Sequence, residues 1–301
     1  MIRAVIDIGT NSVRLLIAQQ EEEGGEWKTL KKMLKSTRLG EGMARTANLS
    51  ASACSRTLQA VEEFAATAKI AGADVTRAYG TSVMRDAPEG QSFAEKITEK
   101  TGVPVRILKG EEEAFYSYIG AAGISNVLTA VTDIGGGSTE ICMGYGTDIG
   151  FRSSYPLGCV RSSCQFDVTT LRGLAELKKH CFELFKHAEK AESVKRWICV
   201  GGTATSIASM LEELPVYDPV KVQDYVLHQE KVGPLLKKLY KMSYEERCHI
   251  KGLAPDRADI IVAGVAILDS LMEYFALPEV TISDRDLAEG LLEEDVMAPK
   301  E

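Results

Sequence analysis

The chain has 301 residues, 45% hydrophobic and 26% charged, with 35 basic against 43 acidic side chains and a formal net charge of −8. That length suits about two domains and buries about three quarters of the unfolded surface without staples, which excludes dominant disorder. The acid excess argues against a general nucleic-acid binder, which needs surplus Lys and Arg, but leaves room for a local basic site that holds a phosphorylated small molecule.

Residues 2–6 predict a short apolar strand ending at Asp7, followed by a turn over residues 9–12 and a second strand over 13–18. A third strand over 27–37 falls within a basic run, residues 27–38, carrying Lys28, Lys31, Lys32, Lys35 and Arg38 with no acid among them. A solvated strand face is the plain reading of that run; a long polyanion extending onto it is the functional one. Ser50 is placed to cap a helix over 51–71 that Gly72 stops. A strand over 73–80 runs into a short helix near Thr81, and helices over 89–101 and 111–122 flank a strand at 103–108. The second half reads as strands at 126–133, 139–143 and 148–156, a helix at 169–189, a strand at 196–200 and a helix from Thr203. Residues 215–255 read as mostly helical, 256–275 as a long apolar helix, 279–283 as a last strand and 285–295 as a closing helix.

The seven cysteines include no C-x-x-C pair, and with four histidines nothing has zinc-site spacing; Cys142 and Cys199 read as small core residues. Asp7 interrupts the first apolar run, so the start of the chain lacks a signal-peptide shape, and no apolar stretch reaches the roughly 18 residues of a membrane span. The expectation is a reduced, soluble, cytoplasmic protein that binds neither nucleic acid nor membrane.

An internal repeat is more informative. DIGTNSVRL at 7–15 and DIGGGSTEI at 133–141 share Asp, Ile, Gly and Ser at equal offsets, 126 residues apart, each between two strands. This points to a duplicated α/β unit. Gly135, Gly136, Gly137 and Ser138 make a nest in which backbone N–H groups can approach an anion, and Thr10, Asn11 and Ser12 make a smaller one. Neither is a Walker A loop, and a strand rather than a helix follows the glycines, which excludes a dinucleotide fingerprint. A tight hairpin that needs glycine is the alternative reading. Asp7 and Asp133 each end a strand beside such a turn. Bound phosphate would be repelled there unless a divalent cation intervened, whereas a turn-capping Asp needs no ligand. Glu111, Glu112 and Glu113 open a helix, where acids also simply suit the dipole. Arg85 could grip phosphate bidentately or form a surface pair, and GGTATSIA at 201–208 could contact a phosphate or merely pack closely.

The segments AVIDIGTNSVRLLIA, GTSVMRDA, ILKGEEEAFYSYIGA, VTDIGGGSTEI, VGGTATSIA, LAPDRADIIVAGVAIL and SDRDLAEGLL together resemble, in order and over nearly the whole chain, the exopolyphosphatase/guanosine pentaphosphate phosphohydrolase family. The resemblance implies an α/β fold of two RNase H-like domains of the actin/Hsp70/sugar-kinase superfamily, with an interdomain cleft. The expected division is 1–125 for the first domain and 126–284 for the second, with the closing segment 285–301 packed back on the first. The implied reaction is Mg²⁺-dependent release of the terminal phosphate from inorganic polyphosphate or pppGpp, with Mn²⁺ as substitute metal and a homodimer as the assembly. Glu113 is then the expected general base, Asp133 and Glu140 the metal- and water-positioning carboxylates, and Asp7 a further metal ligand. Asn11, Ser12, Arg14, Arg85, Gly135, Gly136, Gly137 and Ser138 are the expected phosphate contacts. Ala288 departs from an Arg common in the family, and the helical C-terminal domains of longer members are expected to be lacking. Two rivals stay open: an ATP-dependent kinase or ATPase of the same superfamily, and a non-catalytic pppGpp or polyphosphate sensor.

Overall fold

The computed structural model describes residues 1–22, 24–123, 126–188 and 194–294. The first apolar runs form β1 (Ile2–Ile8) and β2 (Ser12–Gln19), an antiparallel pair buried on both faces. β3 (Lys28–Ser36) adds antiparallel to β2 as an edge, and β4 (Val75–Gly80) and β5 (Val105–Ile107) add in parallel on the other side, giving the order β3-β2-β1-β4-β5. The second sheet repeats this plan. β6 (Thr129–Ile134), β7 (Thr139–Tyr145) and β8 (Asp148–Tyr155) form the antiparallel meander. β9 (Arg196–Val200) and β11 (Glu279–Ile282) extend it in parallel, and β10 (Tyr225–His228) closes the far edge, in the order β10-β11-β9-β6-β7-β8. The duplication read from nine residues is therefore a duplication of sheet topology, and the chain adopts the expected α/β fold of two RNase H-like halves.

Helices cover the outer faces. α1 (Met43–Thr46) is a single turn, and α2 (Ala51–Ile70) starts where Ser50 Oγ accepts the Ala53 N–H at 3.2 Å. Its buried residues Ala53, Thr57, Ala60, Val61, Phe64 and Ala68 keep helical spacing toward the first sheet, and Gly72 at φ +73° ends the segment. α3 (Ser82–Asp86) and α4 (Gly90–Thr101) complete that side. The second sheet carries α6 (Cys159–Gln165), α7 (Leu171–Phe185), α8 (Gly201–Leu211), α9 (Pro219–Val222), α10 (Gln229–Leu239), α11 (Tyr244–Cys248) and α12 (Ile261–Tyr274), with the almost wholly apolar α12 at the centre of its core. The two remaining helices, α5 (Gly110–Ala122) and α13 (Leu287–Leu291), lie between the sheets.

Three expectations need correction. Residues 225–228 form β10, not helix; the strand is short and stabilised by pairing with β11, so local periodicity could not reveal it. α12 begins at Ile261 rather than 256, because Pro255 starts a separate turn of 3₁₀ helix, Pro255–Arg257. α6 was not anticipated at all. The far end of the helix expected over 169–189 and of the closing helix expected over 285–295 reach residues 189 and 295, which lie outside the described residues, as do 124 and 125 at the expected domain boundary.

The inter-sheet layer positions the cleft. α5 packs on β6, β7 and β8, whereas α13 packs on α5 and also touches β1 and β2. The two helices approach almost backbone to backbone: a Cβ at Gly120 would collide with the Asp286 carbonyl, and one at Gly290 with the Tyr116 carbonyl. The segment around α13 is tied to the first sheet by Arg3 Nη1 donating to the Leu292 carbonyl at 2.7 Å and by Arg77 Nη1 pairing with Glu294 at 2.8 Å. Lys32 on β3 bridges Asp284 and Glu289, each at 2.7 Å. Two further cations of the basic run are engaged: Lys35 pairs with Glu63 and Arg38 with Asp259. Lys28 and Lys31 stay exposed on the same strand. Among the described residues no helix is long and apolar enough to cross a membrane.

Two expectations follow. Gly290→Val, which forces α13 off α5, lowers unfolding stability in urea titration by about 2 kcal/mol. Lys32→Glu, which sets an acid against Asp284 and Glu289, costs roughly 1–2 kcal/mol, while Lys31→Glu on the exposed face of the same strand stays within about 0.5 kcal/mol.

Candidate active site

The two repeats face each other across the cleft. Asp7 pairs in register with Arg14 across the first hairpin, and Asp133 with Glu140 across the second. Both turns close with the same hydrogen bond, Gly9 N–H to the Ser12 carbonyl and Gly135 N–H to the Ser138 carbonyl, at 3.0 Å each. Their carbonyls are tied to neighbouring backbone. Gly40 and Arg38 N–H groups donate to Thr10 (2.9 Å) and Asn11 (2.8 Å), and the first N–H groups of α6, on Cys159 and Val160, donate to Gly135 and Gly136, both at 2.9 Å. Among the described residues the N–H groups of Thr10, Asn11, Gly136 and Gly137 find no acceptor. The turns touch: a Cβ at Gly136 would lie 2.8 Å from Thr10 Cβ, and one at Gly137 would strike Ser82 Oγ. Any side chain there would push the halves apart.

Between these turns lies a pocket of about 60 Å³. Asp7, Asn11, Ser12 and Arg14 line it from the first half, Asp133, Gly135, Gly136, Ser138 and Glu140 from the second, and Glu113 from α5. Of the expected site residues, Arg85 and Gly137 stand just outside the lining. Arg85 donates to the Leu108 carbonyl at 2.8 Å and to the Glu113 carboxylate. The three glutamates opening α5 divide the work. Glu112 accepts the Lys109 N–H at 2.8 Å as part of the helix cap, Glu111 lies 3.6 Å from Arg152 at the rim, and Glu113 points inward.

Four carboxylates are thus crowded out of water, with Asp7, Glu113, Asp133 and Glu140 at 4, 5, 8 and 3% exposure. Burial is the main force on their protonation. It lifts Asp7 to about 7 against the opposing pull of Arg14, and Asp133 to about 6 with the charge of Asp286 adding to the rise. Glu140 is pushed up to about 7 by burial and by Asp133, although Ser154 Oγ donates to it at 2.6 Å. Glu113 sits well above the ordinary carboxylate range through burial and the neighbouring Glu140. Asp7 Oδ1, Asp133 Oδ1 and Asn11 Nδ2 are buried without a hydrogen-bond partner. Hard oxygen donors left in this condition fit a divalent cation such as Mg²⁺. Among the described residues no group of three or more acid, His or Cys side chains closes into a ready-made metal cage. A Mg²⁺ ion commonly takes one or two carboxylates and completes its shell with water and phosphate.

Arg257 on the lining and Asp286 beside it are not among the expected site residues. Arg257, from the 3₁₀ turn, reaches the pocket against Gly202, where a Cβ would overlap its guanidinium, and burial lowers its proton affinity. Asp286 caps α13, accepting the Ala288 N–H at 3.1 Å, and also pairs with Arg14, which lies 3.7 Å from Asp7. Gly201 starts α8 at φ +81° and leaves no room for a Cβ against Asp133 Oδ1. Both Arg257 and Asp286 fall inside quoted motifs, so position in a motif was the available signal. Ala288 is buried between the sheets in the layer shared with α5.

Comparisons with known proteins agree with this architecture. The family model described as the Ppx/GppA phosphatase family matches residues 16–298. A bifunctional 3-dehydroquinate synthase/phosphatase of Fusobacterium nucleatum is 30% identical over 313 residues, covering 98% of this chain and 46% of that protein, so the chain spans less than half of that relative. Exopolyphosphatase 2 of Mycobacterium tuberculosis is 27% identical over 308 residues, covering 96% of each. The crystal structure of the Aquifex aeolicus Ppx/GppA family member superposes with a TM-score of 0.84 at 28% identity, covering 99% of this chain and 98% of that one. The family model spans most of the chain, which therefore belongs to the Ppx/GppA phosphatase family.

Proposed function

We propose that the chain is a Mg²⁺-dependent phosphoanhydride hydrolase that releases the terminal phosphate of inorganic polyphosphate, with pppGpp as a second substrate of the same chemistry. The observation that carries this reading is the pair of matched turns whose acceptor-free N–H groups face buried carboxylates with unpartnered oxygens. One set holds phosphate oxygens; the other needs a cation. The small pocket suits a phosphoryl group rather than a nucleoside, so the recognised part of the substrate is its terminal phosphate. The similarity to an exopolyphosphatase and to a bifunctional synthase/phosphatase supports the same reaction class.

In this reading Asp7 and Asp133 hold the metal, Glu140 positions it and the attacking water, and Mn²⁺ substitutes for Mg²⁺. When bound, the ion neutralises charge on the phosphate and on these acids. The Thr10, Asn11, Gly136 and Gly137 N–H groups and the Ser12 and Ser138 hydroxyls orient the terminal phosphate, while Arg14 and Arg257 supply positive charge. Glu113 takes a proton from the water that attacks phosphorus, and its raised proton affinity suits that task near neutral pH. Arg85 holds the Glu113 carboxylate in place. With water on the Glu113 side, in-line displacement sends the leaving oxygen to the opposite face of the phosphorus.

The test is phosphate release with Mg²⁺ from long polyphosphate, short polyphosphate and pppGpp at equal terminal-phosphate concentration. The expected result is release from polyphosphate, and a fall in kcat of about 10³-fold in Glu113→Gln with substrate affinity nearly kept. Release from none of the three, or full activity in Glu113→Gln, contradicts the reading.

A further inference from the structure

Two cavities meet at the Arg85–Glu113 ion pair. One is the phosphate pocket. The other is a groove of about 470 Å³, open to solvent, between the start of α5 and the end of β8. Ser138 lines both. Arg85 lines the groove while its guanidinium bonds the carboxylate that lines the pocket, and Ser154 in the groove wall donates to Glu140. The partition is one side chain thick.

This inference rests on the hydrolase reading and concerns where its product goes. Water's oxygen forms the new bond to phosphorus, its proton passes to Glu113, and the bridging bond breaks with its electron pair on the shortened chain. The shortened chain departs on the face of phosphorus opposite the attacking water, whereas orthophosphate is formed against Glu113, at the partition with the groove. While the shortened chain stays bound, that partition is a way out that does not require its release.

We propose that the groove is the release port for orthophosphate and binds it weakly in transit, with Lys109 as the residue that recognises the anion. The groove's two acids are already matched, Asp86 by Arg161 and by Arg85 Nε at 4.0 Å, and Glu111 by Arg152 at 3.6 Å. Lys109 is exposed and among the described residues makes no ion pair, so its ammonium is the groove's cation open to an incoming anion. Ser153 and Ser154 add hydroxyl groups. Arg85 offers the planar fork that phosphate accepts, and can exchange the Glu113 carboxylate for the departing anion. Acids at the rim keep affinity low, as a transit site requires.

The experiment is inhibition by inorganic orthophosphate, measured against varied tripolyphosphate for the wild type and Lys109→Ala. A port occupied while the chain stays bound predicts noncompetitive inhibition, with an inhibition constant raised about fivefold in Lys109→Ala. Strictly competitive inhibition, no inhibition, or an unchanged constant in the variant overturns the proposal. If no phosphoanhydride is hydrolysed, the functional reading fails separately. Line broadening of the orthophosphate ³¹P signal by wild type and by Lys109→Ala then tests the groove alone, where equal broadening or none overturns it.

Discussion

Four carboxylates in a nearly dry cleft are the constraint around which the rest of the molecule is arranged. Asp7, Glu113, Asp133 and Glu140 come from four different elements, and burial raises the proton affinity of each. No apolar core would accept such a cluster for its own stability, since each buried charge without a partner costs several kcal/mol. Arg14 and Arg85 offset only part of it, and oxygen atoms of Asp7 and Asp133 remain without donors. The cluster makes physical sense as half of a site whose other half is a cation and a phosphate.

The fold holds that arrangement in place from three directions. Each sheet contributes one strand-ending aspartate and one turn with free N–H groups, so the repeat builds two complementary walls from one motif. The interleaved helices α5 and α13 join the walls, with glycine at the contacts where neither backbone can retreat. α5 also delivers Glu113, and the cap of α13 delivers Asp286 to Arg14. A change in packing between the halves therefore moves these carboxylates directly.

Much of this was legible in the sequence because it rests on local chemistry. The Asp-Ile-Gly turns, their spacing and their flanking strands disclosed both walls, and Ser50 and Gly72 marked the ends of α2. The missed features depend on distant partners. β10 exists because β11 lies beside it, and α6 is held by the glycine-loop carbonyls. Arg257 has no local sign of reaching a cleft built more than a hundred residues earlier, nor Asp286 of pairing with Arg14. In the basic run on β3, Lys32 and Lys35 look free in one dimension but meet Asp284, Glu289 and Glu63 in three. Arg85 reads as a phosphate ligand, and in the folded chain its guanidinium bonds Glu113.

The central claim is that the unpartnered carboxylates form a divalent-cation site completed by phosphate. Calorimetric titration of Mg²⁺ into the wild type and into Asp133→Asn, each with and without orthophosphate, tests it most directly. The account predicts saturable binding that phosphate strengthens and that Asp133→Asn weakens by about tenfold or more. Equal binding to both proteins, or no binding to the wild type even with phosphate present, would contradict it.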